Sequence, residues 1–98
     1  MLFIARFTDK PNMGELREKL FPAHLEWLDR NKDAVLVPGS IRPAVDEASV
    51  GGLWIIKGDS KAKVEELYKT DPFWANGLRQ GAEVFYWKKA FEDRMVEI

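Results

Sequence analysis

The strand-like runs of this chain are apolar on both of their faces, and this constrains the fold more than any motif does. In LFIARFT, residues 2–8, alternation sends Leu2 and Ile4 to one side and Phe3, Ala5 and Phe7 to the other. In GLWIIK, residues 52–57, Leu53 and Ile55 oppose Trp54 and Ile56. An antiparallel sheet covered by helices on one side normally offers water a polar opposite face. A sheet of these runs needs a second covering layer that the chain itself does not contain. A symmetric partner laid sheet against sheet would supply it, so a homodimer is expected.

Four strand-like and two helix-like segments follow one another. Residues 2–8 end at a polar turn containing Pro11. From Met13 to Asn31, Leu16, Leu20, Ala23, Trp27 and Leu28 recur at helical spacing, with Glu15, Glu18, Glu26 and Asp29 largely off that stripe. AVLV, residues 34–37, forms a short second strand that stops at Pro38-Gly39, and residues 52–57 form a third. Ser60 reads as the N-cap of a helix over KAKVEELYK. AEVFYWKKA, residues 82–90, is an aromatic fourth strand. The order βαββαβ predicts an α+β, ferredoxin-like domain over residues 1–98, with a four-stranded antiparallel sheet and both helices on one face.

Charge and composition exclude several functions. Fifteen basic residues against sixteen acidic ones, with no long block of one sign, give no footprint for a nucleic-acid partner. Without cysteine there is no disulfide framework and no thiolate metal site. The opening MLFIARFTDK is interrupted by Arg6 and Asp9 too soon for a signal peptide or a membrane span, and a cytoplasmic protein is expected.

Two residues draw attention as chemistry. His24, the only histidine, lies on the helical side that carries Leu20, Trp27 and Leu28, two turns from Arg17 on nearly the same line. Pro22 predicts a kink or a fresh helix start just before it, which would turn positive dipole towards the ring and favour the neutral imidazole. A histidine so placed also serves as a core residue bonded to a carbonyl. Asp71 stands in YKTDPFWANGL, where Asp followed by Pro matches an N-cap with proline at the first helical position. A carboxylate fixed in that way is also rigid enough to orient an imidazole.

At these residues the chain resembles the YciI-like proteins. The resemblance runs over nearly the whole length. It is carried by the N-terminal strand, by an arginine seven residues before the histidine in REKLFPAHLEWL, by the glycine turn in LVPGS and above all by DPFWANGL. It implies a ferredoxin-like fold paired into a dimeric α+β barrel, with a His-Asp dyad that maps onto His24 and Asp71. Arg17 matches a frequent family arginine. Phe21 stands where a second arginine is often found, and Gly39-Ser40 replaces the usual Gly-Pro. These departures imply a ligand less charged than in other members.

Granting the dyad, Asp71 fixes the imidazole tautomer while the other nitrogen of His24 takes and returns a proton. No Ser or Cys nucleophile stands out, and a single histidine without HExxH or carboxylate spacing gives no metal site. The chemistry needs no cofactor. Trp54 and Trp87 are expected as an aromatic wall, Arg42 as a carboxylate or enolate contact, and Ser40 as a hydroxyl within reach from its turn. Plain core packing for the tryptophans, a solvated charge for Arg42 and a turn-stabilising role for Ser40 are the competing readings. The function expected is general acid–base chemistry, as an isomerase, lyase or dehydrohalogenase, on a small cyclic or aromatic molecule. The alternative is a non-catalytic binding or accessory module using the same pocket. Cofactor-free monooxygenation, known among other dimeric α+β barrels, is a third possibility.

Overall fold

The computed structural model describes all 98 residues. The elements are β1 (Leu2–Asp9), α1 (Gly14–Arg30), β2 (Val35–Ile41), β3 (Gly51–Lys57), α2 (Lys61–Tyr68), α3 (Pro72–Ala75) and β4 (Arg79–Trp87). The sheet order is β2-β3-β1-β4, and every neighbouring pair is antiparallel. This is the expected ferredoxin-like arrangement, with one additional turn of helix, α3, ahead of β4. No helix is long and apolar enough to cross a membrane.

Register assigns the two sheet faces. Ala5 lies opposite Trp54 on one side and Val84 on the other, and Phe3 lies opposite Ile56 and Tyr86. With Phe7 these residues form the helix-covered face, at whose β4 edge Tyr86 remains 61% exposed. Trp27 of α1 meets Trp54 at a ring separation of 5.6 Å, and Tyr68 of α2 meets Phe7 edge-on at 5.2 Å. Each such large apolar side chain contributes roughly 1.5–3 kcal/mol when fully buried. Gly51, opposite Thr8, has no room for a side chain, because a Cβ there would collide with the carbonyl of Phe7.

The opposite face carries Leu2, Ile4, Ile55 and Trp87, with Leu53 and Phe85 left 43% and 52% exposed. Its polar feature is the Arg6–Glu83 ion pair between β1 and β4. The second apolar face read from the strands is therefore real, and no element of the chain covers it.

The structure corrects several boundaries. β2 runs through Pro38 and Gly39 instead of ending there, because β2 is an edge strand bonded to β3 alone, where a missing N–H is tolerated. Ser40 therefore belongs to a strand, not to a turn. β4 begins at Arg79, three residues earlier than expected, since Gly77 at φ 78° turns the chain out of α3 immediately. α1 continues through Pro22, so no fresh helix start points its dipole at His24. Pro22 lies on the exposed side, where water can serve the carbonyl that the ring deprives of its partner. His24 and Trp27 are the buried residues of α1, whereas Ala23 of the expected stripe is exposed.

Candidate active site

α1 and α3 bring His24 and Asp71 together. Asp71 is the N-cap of α3, followed by Pro72 in the first turn, and its Oδ1 accepts from the backbone N–H of Phe73 at 3.2 Å. The same Oδ1 lies 2.8 Å from Nδ1 of His24. Capping and imidazole contact thus fall on one oxygen. With Asp71 ionised, Nδ1 carries the hydrogen and donates, leaving Nε2 with its lone pair. His24 and Asp71 are 5% and 1% exposed, so the contact is shielded from bulk water. Nε2 has no partner within the chain, yet the only fully buried side-chain polar atom lacking one is Arg79 Nε. Nε2 therefore retains access to the outside.

Aromatic rings fix the imidazole. Phe73 stacks on it with centroids 3.8 Å apart and planes inclined by 11°, and Trp54 lies behind at 6.2 Å. Trp54 is thus part of the aromatic surround of His24. Trp87 is not. It pairs with Leu2 on the opposite face of the sheet, because it lies three positions after the inward-facing Val84 and side-chain direction alternates along the strand.

Next to this pair an open cleft of about 950 Å³ lies between α1, the end of β1 and the β2–β3 loop. Arg17, Phe21 and Pro22 line it from α1, and Arg42 and Val50 from the loop. Arg42 donates through Nε to Ser40 Oγ at 3.2 Å and through Nη1 to the carbonyl of Glu47 at 3.0 Å, so Ser40 steadies Arg42 and is not itself part of the lining. His24 and Asp71 lie beside the cleft and do not line it; Phe21, on its wall, has its ring centroid 6.4 Å from the imidazole.

Two residues of this region escaped the sequence reading. Asp9, at the end of β1, accepts from Arg17 Nη1 at 2.6 Å and from Arg79 Nη1 at 2.7 Å. Arg79, at the start of β4 and 6% exposed, holds its guanidinium over the rings of Phe7 and Phe73, and Arg17 also lies over Phe73. Burial is the main cause that pushes the Arg17 guanidinium below its usual range, with Arg79 and Arg42 acting in the same direction against Asp9.

The family model of the YCII-related domain matches residues 1–88. The chain belongs to the YCII-related family. Among solved structures, this YCII-related chain is similar to TftG, a 5-chloro-2-hydroxyhydroquinone dehydrochlorinase from Burkholderia phenoliruptrix in complex with 2,5-dihydroxybenzoquinone. The identity is 28% and the TM-score 0.81, over 90% of this chain and 94% of that one. It is also similar in fold to SnoaB, a cofactor-independent oxygenase from Streptomyces nogalater, at 13% identity and a TM-score of 0.53, over 94% of this chain and 96% of that one. No curated protein matches the chain.

Proposed function

We propose that the protein is a small cofactor-independent enzyme in which His24 and Asp71 form a general acid–base dyad acting on a small cyclic or aromatic molecule. The observation that carries this reading is the 2.8 Å contact between Asp71 Oδ1 and His24 Nδ1, which leaves Nε2 as the accepting nitrogen. In an elimination from the keto tautomer of a hydroxylated ring, in which the carbon bearing the halogen is tetrahedral, a substrate proton passes to Nε2, its bonding electrons form the new double bond, and the carbon–halogen pair leaves as halide. The imidazolium, stabilised by Asp71, then gives the proton to water. The similarity to TftG, whose reaction is a dehydrochlorination and whose ligand is a quinone, favours a lyase on a hydroxylated ring. The test is chloride release from a chlorinated hydroxyhydroquinone by the wild-type protein and by His24→Ala. Release that disappears in the variant supports the dyad, and release that persists rules it out.

A binding or accessory module is the second reading, and the burial of the pair favours it, because neither residue lines the cleft. A quinone that binds the wild-type protein and is recovered unchanged would point that way. The uncovered apolar face fits a second copy of the chain, sheet against sheet, which makes the working unit a homodimer.

A further inference from the structure

We propose that the cleft is an oxyanion site for a small aromatic acid or phenolate, with Arg17 as the group that contacts the ligand and Arg79 as its electrostatic support. The proposal rests on the reading that the protein acts on a small cyclic or aromatic molecule, places that molecule in the cleft beside the dyad and adds its charge. The first argument is a charge count. Asp9 is one carboxylate shared by two guanidinium groups, each bonded through a single Nη1. The trio therefore keeps a positive charge with no counterion, although Arg79 is 6% exposed and Arg17 is half-buried. A buried charge without a partner is costly, and an incoming anion would relieve that cost.

Geometry gives the second argument. Arg17 has five N–H donors, of which one is committed to Asp9, and its remaining groups belong to a side chain that lines the cleft. Lys10 and Arg42 line the same cleft, whose acidic lining residues are Asp9, already engaged, and Glu18. The cleft is thus locally positive in a chain whose net charge is −1. Its apolar walls specify the body of the ligand: Phe21, 44% exposed, with Pro11, Pro22 and Val50. A ring that carries an ionised oxygen satisfies both features, whereas a bare inorganic anion leaves the aromatic wall unused. Phe21 stands where the family resemblance expects an arginine, and Arg79, which does not line the cleft, supports Arg17 only through the Asp9 that they share.

Isothermal titration with benzoate and with its neutral isostere benzamide tests the proposal on the unaltered protein, with sulfate as a competitor. Benzoate is expected to bind better than benzamide and to resist displacement by equimolar sulfate. Arg17→Met is expected to weaken benzoate by about ten- to a hundredfold while leaving benzamide nearly unchanged. In His24→Ala the affinity for benzoate is expected to stay within a few fold of wild type, which separates the anion site from the acid–base reading. Equal affinity for benzoate and benzamide, an unchanged Arg17→Met variant, or a loss in His24→Ala as large as in Arg17→Met each overturns the proposal. So does sulfate that binds as well as benzoate, since the site would then be a simple inorganic-anion site.

Discussion

His24 and Asp71, forty-seven positions apart in the chain, meet through Nδ1 and Oδ1 at 2.8 Å. That oxygen also caps α3 by accepting from Phe73, so Asp71→Ala leaves two buried donors without an acceptor. The lost cap and the unmet hydrogen bonds together are expected to cost about 2–4 kcal/mol. The single histidine allows a direct check of its tautomer by nitrogen NMR. The wild-type ring is expected as the Nδ1–H form, and Asp71→Ala should release that preference. Identical ring-nitrogen shifts in the two proteins would show that the carboxylate does not orient the imidazole.

Asp9 is a more sensitive site for stability. It holds Arg17 and Arg79 at 2.6 and 2.7 Å with its side chain 7% exposed. Removal leaves two largely buried positive charges facing each other, and Asp9→Ala is expected to lose about 3–5 kcal/mol in urea unfolding. Arg79→Met should cost less, because Asp9 keeps Arg17 and the new side chain still packs on Phe7 and Phe73. If Asp9→Ala proves the milder of the two, the trio does not control this end of the fold.

The contrast between these two clusters explains what could be read from the sequence. DPFW encodes a cap locally, and helical spacing alone puts His24 on the inner side of α1, so one half of the candidate site was legible. The sheet was legible for the same reason, since alternation in residues 2–8 and 52–57 marks both faces. Asp9 and Arg79 carry no local signature. They meet because the end of β1 pairs with the start of β4, a register decided by the whole sheet and preceded by an irregularity between Thr8 and Asp9. Trp87 failed for the complementary reason. Residue type suggested a pocket wall, but its parity relative to Val84 assigns it to the other face.

That other face makes a prediction about assembly. Leu53 and Phe85 are large, apolar and half-exposed on it, and the sheet of a second copy would cover them. A charge introduced at either position would be buried without a partner across such an interface. Leu53→Arg and Phe85→Arg are therefore expected to convert a dimer into a folded monomer by light scattering at micromolar concentration. A wild-type protein that is already monomeric under those conditions removes the dimer from the reading.

Alkaline pH probes the opposite layer, where α2 meets the sheet. Tyr68 packs edge-on against Phe7 and at 4.9 Å from Trp74, and burial, aided by Glu65, pushes its phenol above the usual 10.0. Between pH 10 and that raised value the unfolded chain has released the proton while the folded chain still binds it, so stability falls as pH rises. The contribution is fully present below pH 10 and is lost as pH climbs through the folded value. Arg17, held below its usual range, acts with the opposite sign, so the informative quantity is the difference between wild type and Tyr68→Phe, in which Arg17 cancels. The phenol makes no hydrogen bond within the chain, so the substitution removes the titration with little change in packing. The difference in unfolding midpoint is expected to be flat below pH 9 and to move in favour of Tyr68→Phe above pH 10. A difference that stays flat to pH 11 would mean that the phenol is solvated as well in the folded chain as in the unfolded one.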